Sequence, residues 1–286
     1  MIPDTGKLYV VATPIGNLGD LSPRALDVLR AVAAVAAEDT RHSRQLLAHH
    51  GVATTLIAYH EHNEREVTPR LIARLKGGED LALVSDAGTP LISDPGFVLV
   101  REAHAQGIRV VPIPGPSAAV TALSAAGLPS DRFLFVGFPP RTSAKCRAWL
   151  AGLSREPGTL ILYETGPRVV RTLEDLAAVL GGTRRAVVAR ELTKRFETLR
   201  CGTLVELAGW LDADPEQRLG ELVILVAGAP DQDDATAHEE RLRVLRILAE
   251  ALPLKQAASL AARITGGRRN DLYAMALREL GPGERP

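Results

Sequence analysis

LALVSDAGTPLISDPGF, at residues 81–97, is the stretch that decides the fold. It begins with an apolar run at 81–84, which has the length of a buried strand. Glycines and prolines then recur through residues 88–96, so neither a helix nor a strand continues there. Polar side chains in this loop are interleaved with Leu91 and Ile92, a mixture that suits a part-polar small molecule. Because ligands of open α/β sheets bind outside the carboxyl ends of strands, the stretch predicts a ligand-binding loop, with an ordinary surface turn as the alternative.

Strand-like and helical runs alternate through the first 115 residues. The strand-like runs lie at 8–12, 32–37, 54–58, 81–84 and 109–113. Helical runs separate them, and one of these begins with the capping pair Ser22-Pro23. This alternation predicts right-handed βαβ units and a parallel sheet. We therefore expect the polar loops that follow these strands to open on one edge of the sheet.

The second half of the chain predicts a smaller α/β domain and a helical appendage. Strand-like runs at 133–137, 159–163, 185–190 and 222–226 favour a mixed sheet. Residues 228–236 are polar and acidic enough to form a linker, and the last two helical stretches beyond it have a helix-turn-helix pattern. Such a hairpin can pack against a domain or contact nucleic acid through its arginines. The expected domains are 1–115, 116–228 and 237–286.

Composition limits the partners of the protein. Thirty-four basic and 34 acidic residues cancel, so contact with a polyanion would have to come from a local cluster. Cys146 and Cys201 have no paired spacing, which predicts neither a disulfide framework nor a metal site and fits a reducing compartment. No signal-peptide pattern or long apolar run is present, so we expect a cytoplasmic protein that does not contact membranes.

Two polar clusters follow strands, at 38–42 (EDTRH) and 59–64 (YHEHNE). Each is either an exposed group of ion pairs and polar side chains or part of a site at the sheet edge. His60 and His62 lack a His-x-x-x-His partner, so no metal site is predicted. The Walker, dinucleotide and Gly-x-Ser-x-Gly motifs are absent from the sequence, which disfavours nucleotide triphosphates, nicotinamide and serine hydrolase chemistry.

The loops together resemble one known family. The resemblance rests on six segments, in the order VVATPIGNLGDLSPRAL, AEDTRHSRQLL, YHEHNE, LVSDAGTPLISDPG, PGPSAAVTAL and FVGFPP. They are similar to the family of the bacterial ribosomal RNA small-subunit methyltransferase I, cytidine-2′-O-methyltransferases within the tetrapyrrole-methylase (class III) superfamily. The resemblance covers residues 8–227 and extends to the C-terminal helical pair. It implies two α/β domains with S-adenosylmethionine in the cleft between them, a homodimer, and 16S rRNA of the small ribosomal subunit as substrate.

The resemblance also implies which residues contact the cofactor. Ala87, Gly88 and Thr89 match the loop that wraps it, and we expect a Cβ at Gly88 to collide with a bound ligand. The tetrapyrrole enzymes have a methionine at the position of Glu164. Whether Glu164 makes the cofactor contact of that methionine therefore stays open. The complete implied set is Pro14, Asp86, Ala87, Gly88, Thr89, Ile92, Ser117 and Ala118.

Methyl transfer from a sulfonium needs alignment more than it needs a metal or a covalent intermediate. A ribose 2′-hydroxyl must still lose its proton, so a base or acceptor is expected nearby. His60 is one candidate, and the predicted catalytic set is Asp39, His62 and Asp86. Flanking phosphates are expected at four basic side chains, Arg41, Arg44, Lys194 and Arg195.

Two other functions remain open at this point. One is methylation of a tetrapyrrole or corrinoid precursor, for which a Gly-Gly-Asp-Pro loop would be expected where residues 87–90 read Ala-Gly-Thr-Pro. The other is a non-catalytic, ribosome-associated RNA-binding module that uses the C-terminal hairpin, where Arg263, Arg268 and Arg269 lie around the turn.

Overall fold

The computed structural model describes residues 5–230 and 232–281, so the outermost residues of the first and last predicted domains lie outside it. The chain divides between Gly228 and Ala229 into two compact units. The first unit contains two five-stranded sheets, and the described part of the second unit is helical. None of the helices described in these ranges is long and apolar enough to cross a membrane.

The first sheet is entirely parallel, as the alternating pattern predicts. Its strands are β1 Leu8–Val11, β2 Ala34–Ala37, β3 Leu56–Ala58, β4 Leu81–Val84 and β5 Val110–Ile113. They lie in the order β3-β2-β4-β1-β5. The helices between them are α1 Pro23–Ala31, α2 Thr40–His49, α3 Glu64–Lys76 and α4 Phe97–Ala105. Every residue of β2 and β4 is buried, which is typical of parallel strands covered by helices on both faces.

The second sheet is mixed, again as predicted. Its strands are β6 Phe133–Gly137, β7 Thr159–Thr165, β8 Arg185–Arg190, β9 Thr198–Thr203 and β10 Glu221–Val226. The order is β6-β7-β10-β8-β9, in which only β6 and β7 pair in parallel. The helices of this half are α5 Ala118–Ala126, α6 Ser143–Ala151, α7 Val169–Leu180 and α8 Leu204–Ala213.

Strand β9 and helix α8 are absent from the sequence prediction. β9 is a largely exposed edge strand, so its sequence TLRCGT lacks the apolar alternation of a half-buried strand. Helix α8 does carry a sequence signal, because Thr203 and Glu206 form a reciprocal capping box at its start.

One hydrophobic cluster joins the two sheets of the first unit. Ile15, from the loop after β1, packs with Ala119 and Ala122 of α5. The same cluster includes Ile161 of β7 and Leu225 of β10. The loop after β1 is therefore fixed against the second sheet, and this contact brings the two halves of the unit together.

The predicted linker at 228–236 is partly wrong. The backbone is helical from Gln232, where α9 Gln232–Ala249 begins. Acidic residues near the start of this segment favour a helix N-terminus, so a polar and acidic composition does not prevent helix formation.

The second unit has a hydrophobic core of its own. After α9 come α10 Leu254–Thr265 and α11 Arg269–Leu280, which are separated by a left-handed Gly266. Within the described part of this unit, its buried core residues are Val244, Leu245, Ala258, Ala261, Ala262, Leu272 and Ala276. The second unit therefore has a core built from its own three helices.

We expect removal of residues 231–286 to leave the first unit folded. The shortened chain should unfold cooperatively and should still bind S-adenosylmethionine, because all sheet cores remain complete. Circular dichroism during heating and calorimetric titration with S-adenosylmethionine measure both properties. A non-cooperative transition, or loss of cofactor binding, would mean that the helical unit stabilises the sheets.

Candidate active site

A cleft of about 340 Å³ lies where the two halves of the first unit meet. The loops after β1 and β4, the start of α5, and the ends of β7, β8 and β10 line it. Its volume is typical of a small-ligand site. All of the predicted cofactor residues except Pro14 line the cleft, namely Asp86, Ala87, Gly88, Thr89, Ile92, Ser117 and Ala118. Pro14 is buried beside Ile15, which does line it.

The loop after β4 is tied to its neighbours by hydrogen bonds. The Thr13 amide donates to the Gly88 carbonyl (2.8 Å), and the Gly88 amide donates back to the Thr13 carbonyl (3.0 Å). The Thr13 hydroxyl also donates to the Ser85 carbonyl (3.2 Å). On the other side, the Thr89 hydroxyl donates to the Pro116 carbonyl (3.0 Å), just before α5. These bonds fix the loop against both β1 and the entry to the second half.

The backbone of this loop is strained. Gly88 has a φ of +82°, and two non-glycine residues, Leu91 and Ser93, have φ values of +74° and +71°. Such residues cost about 1–3 kcal/mol each and cluster at functional sites. Within the protein, an added Cβ at Gly88 would lie 3.4 Å from Ile15 Cγ2, an ordinary contact, so the left-handed backbone is what requires glycine there. The expected collision of such a Cβ with a bound ligand stays a prediction.

Three carboxylates converge on the floor of the cleft. Glu38 follows β2, and Asp86 and Asp94 belong to the loop after β4. The Asp86 carboxylate accepts a hydrogen bond from the Asp39 amide (2.9 Å), and the Asp86 amide donates to Glu38 (3.5 Å). Across residues 5–230 and 232–281 no group of three or more His, Cys, Asp or Glu side chains has an arrangement that would hold a metal ion.

This crowding changes the acidity of two of these groups. Burial, reinforced by the negative charges of Glu38 and Asp86, raises the pKa of Asp94 to about 7. Burial and the charge of Asp86 likewise raise the pKa of Glu38. Sequence reasoning did not select either residue for the site. Asp94 stands in the loop of residues 81–97, but nothing in the sequence brings it close to Glu38.

Two predicted catalytic residues lie outside the cleft lining. Asp39 caps helix α2 by accepting from the Arg41 amide (2.8 Å), and it also pairs with the Arg41 guanidinium (2.7 Å). The hydrogen bonds from Arg41 hold the pKa of Asp39 well below its usual range, which makes it a poor base. His62 is exposed, whereas His60 has a buried Nδ1 that finds no partner in the described part of the chain.

Of the predicted phosphate-binding residues, only Lys194 lines the cleft. Its Nζ lies 2.9 Å from both Glu191 and Glu221, so its charge is already paired. Its aliphatic stem crosses Gly16 so closely that a Cβ there would overlap it. Lys194 therefore joins the loop after β1 to the second sheet. The other three, Arg41, Arg44 and Arg195, are exposed and lie outside the lining.

Two aromatic residues, Tyr163 and Phe138, also line the cleft. Tyr163 packs edge-on against Phe138, with ring centroids 5.6 Å apart, and its hydroxyl accepts from the Ala119 amide (3.2 Å) at the start of α5. Glu164 touches the cleft, but its carboxylate is buried against Arg168 (3.1 Å) and Thr172 (2.6 Å). Glu164 is therefore held by a structural ion pair.

Comparison with known proteins decides the family. A family model described as Tetrapyrrole (Corrin/Porphyrin) Methylases matches residues 7–208, and one described as RsmI C-terminal HTH domain matches residues 235–281. Ribosomal RNA small subunit methyltransferase I of Pseudomonas aeruginosa is 60% identical over 96% of this chain and 98% of that protein. The chain belongs to the ribosomal RNA small subunit methyltransferase I family. As a tetrapyrrole methylase, it is an S-adenosylmethionine-dependent methyltransferase.

A second curated relative has the same name, and two solved structures share the fold. The Escherichia coli O157:H7 protein with the same name is 52% identical over 96% of each chain. The solved methyltransferase CobJ has a TM-score of 0.58 at 20% identity and covers 79% of this chain and 95% of its own. A uroporphyrin-III C-methyltransferase of Thermus thermophilus, solved with S-adenosyl homocysteine, has a TM-score of 0.53 at 21% identity, over 77% and 97% of the chains. At these identities the two structures establish the fold alone.

The cleft suits the cofactor of this family. S-adenosylmethionine carries a sulfonium and an ammonium, and the carboxylates of Glu38, Asp86 and Asp94 favour positive charge. Small side chains at residues 87–88 and at Ala118 leave room for a ligand against the backbone. The Ser117 hydroxyl does not cap α5 and belongs to the cleft lining. The residues that would hold the cofactor are therefore 87–89 with Ser117 and Ala118.

We expect Gly88→Ala to weaken cofactor binding without unfolding the protein. Alanine at a left-handed position costs about 1–2 kcal/mol and displaces the loop backbone that lines the cleft. Gly107→Ala is the matched control, because Gly107 also has a positive φ (+69°) with nothing within 4 Å of an added Cβ, and it does not line the cleft. Both variants should lose similar stability, but calorimetry should find S-adenosylmethionine affinity reduced about tenfold or more only in Gly88→Ala. Equal affinities would remove this loop from the site.

Asp94 should make the protein less stable as the pH rises. Its pKa of about 7 in the fold exceeds the ordinary 3.8, so the native state binds the extra proton and loses this stabilisation as the pH rises from about 4 through 7. Asp94→Asn should flatten this part of the pH dependence. Urea unfolding of both proteins across that pH range measures the difference, and parallel curves would refute the raised pKa.

Proposed function

We propose that this chain transfers a methyl group from S-adenosylmethionine to the ribose 2′-hydroxyl of a cytidine in 16S rRNA of the small ribosomal subunit. The observation that carries the proposal is a cofactor-sized cleft with a carboxyl group of near-neutral pKa in its lining. Relatives named ribosomal RNA small subunit methyltransferase I, which match nearly the whole chain, support the rRNA substrate. We also propose a cytoplasmic homodimer, as the family resemblance implies.

The proposed chemistry needs one proton acceptor. The bound cofactor supplies an electrophilic methyl group, and the 2′-hydroxyl becomes a good nucleophile only as its proton leaves. Asp94 is the best-suited acceptor, because a base with a pKa near the working pH is both ionised and basic. Glu38 and Asp86 act through Asp94 by raising its pKa. The predicted alternatives are weaker, since Asp39 is committed to Arg41 and His62 lies outside the cleft lining.

RNA contacts in this proposal come from exposed guanidiniums near the cleft. Arg41, Arg44 and Arg195 are exposed and suit contact with phosphates. The Arg41 side chain is 84% exposed even while paired with Asp39, so a phosphate can compete for it. Lys194 has a different role, because its charge is already paired with the carboxylates of Glu191 and Glu221.

Methylation of a tetrapyrrole precursor is the weaker alternative. The fold is shared with such enzymes, but at about 20% identity the likeness shows architecture only. A non-catalytic RNA-binding module is also disfavoured, because such a protein would need neither the strained loop nor the carboxylate cluster.

The proposed function predicts label transfer to a single sugar. With radiolabelled S-adenosylmethionine, the protein should methylate undermethylated small subunits but not precursor corrins, and digestion should yield 2′-O-methylcytidine. Free 16S rRNA in a parallel assay tests whether the assembled subunit is required. A methyl group on a base, or on a corrin, would contradict the proposal.

Asp94→Asn tests the base within the same assay. Its rate constant for methyl transfer should fall about 10²–10⁴-fold and should lose the rise with pH through about 7 that we expect of the wild type. Asp131→Asn, an exposed acid outside the cleft lining, is the control and should behave as wild type. An unchanged pH profile in Asp94→Asn would assign the proton to another acceptor.

A further inference from the structure

The loop between β8 and β9, residues 191–197, presents an aromatic side chain to solvent. Phe196 is 63% exposed, more than Phe138 (52%) or Phe133 (46%). The guanidinium of Arg195 lies 5.5 Å from the centre of its ring, within the range of a cation–π contact. An exposed aromatic ring that already carries a cation is a ready surface for a planar, anionic ligand.

The backbone holds this pair in a defined position. Glu191 and Thr193 both have left-handed conformations, with φ values of 50° and 66°. The buried Arg190 donates through Nη1 to the Phe196 carbonyl (3.0 Å) and through Nε to the Leu219 carbonyl (2.7 Å). These hydrogen bonds stabilise the left-handed turn and restrict its backbone. The exposed side chain of Phe196 is therefore held in one position.

The loop also lies at the edge of the cleft. Leu192 and Lys194 line the cleft, whereas Arg195 and Phe196 do not. Two peptide units separate Lys194 from Phe196, so their Cα atoms lie within about 8 Å. The pair therefore flanks the cleft without entering the space that would hold the cofactor.

The charges nearest Phe196 belong to its two neighbours in sequence. Arg195 lies against the ring, and Glu197 accepts from the Thr193 amide (2.6 Å). Arg200, on the adjoining strand β9, pairs in register with Val188 and lies over the ring of Trp210 at 4.7 Å, so it faces the side of the sheet that α8 covers. Arg195 is therefore the cation that a phosphate beside the Phe196 ring would meet.

We propose that Arg195 and Phe196 form a platform on which an unpaired base of the substrate RNA stacks, next to the nucleotide that enters the cleft. Sequence-specific RNA recognition uses unstacked bases that lie on aromatic rings and guanidinium planes, and a ring with an adjacent cation supplies both the stacking surface and a phosphate contact. This inference rests on the proposed function, because it takes RNA as the substrate. One ring is too small to be a stable interface between two copies of the chain, so RNA is the occupant for which we argue.

The test compares four single variants of the full chain. Phe196→Ala removes the ring, Phe196→Leu keeps apolar volume without a π face, and Phe196→Trp restores the face. Phe133→Ala is the matched control, because Phe133 is 46% exposed but begins strand β6, about 17 Å along the strand from the cleft residue Phe138. Each variant is checked for cooperative unfolding, for its sedimentation coefficient and for calorimetric affinity for S-adenosylmethionine. Undermethylated small subunits and a short single-stranded oligoribonucleotide serve as RNA probes.

Phe196→Ala and Phe196→Leu should bind both probes about tenfold or more weakly and raise KM for the subunit, with kcat and cofactor affinity nearly unchanged. Phe196→Trp should retain binding, and RNA should quench its tryptophan emission more than that of the wild type. Phe133→Ala should match the wild type. Wild-type RNA affinity in the folded Phe196→Ala variant would contradict the proposed platform. A change of Phe196→Ala from dimer to monomer would contradict it too, because Phe196 would then belong to the interface between two copies of the chain. If the wild type methylates no subunit yet Phe196→Ala still loses RNA affinity, the proposed function fails and the platform stands.

Discussion

The reciprocal hydrogen bonds between the Thr13 and Gly88 backbones are the contact on which the site depends. They exist because β1 and β4 are neighbours in the parallel sheet, so the loops that leave their carboxyl ends meet at one edge. The loop after β1 then reaches the second sheet through Ile15, and the loop after β4 reaches α5 through Thr89. Gly88 and its neighbour Thr89 thus link the loop after β4 to both halves of the cleft.

Several residues that form the cleft lower the free energy of unfolding of the protein. Leu91 and Ser93 are held in left-handed conformations, and Asp94 is held beside two other carboxylates. None of these features helps the chain to fold, and each requires a rigid surrounding to persist. A cationic methyl donor relieves the repulsion among the carboxylates, whereas the neutral product that remains after methyl transfer relieves it less. The same charges therefore favour binding of the substrate form of the cofactor.

Sequence patterns predicted the architecture and brought the loop after β4 to the cleft, whereas they did not select the acidic groups that the fold gathers there. The density of glycine and proline after residue 84 marked the loop, and the alternation of strands with helices implied that such loops meet. Asp39 has a local capping signal before helix α2, and that signal explains why its carboxylate is used up by Arg41. The raised pKa of Asp94, in contrast, depends first on its burial and then on the charge of Glu38, which follows another strand. Both depend on the folded arrangement and neither can be read from spacing in the sequence.

We propose above all that S-adenosylmethionine lies against the loop after β4 and the start of α5. A crystal structure of the protein with S-adenosylhomocysteine tests this proposal most directly. We expect ligand density in the cleft, in contact with the backbone of residues 87–89 and with Ser117 and Ala118. Ligand density elsewhere, or density in the cleft that touches neither segment, would contradict it.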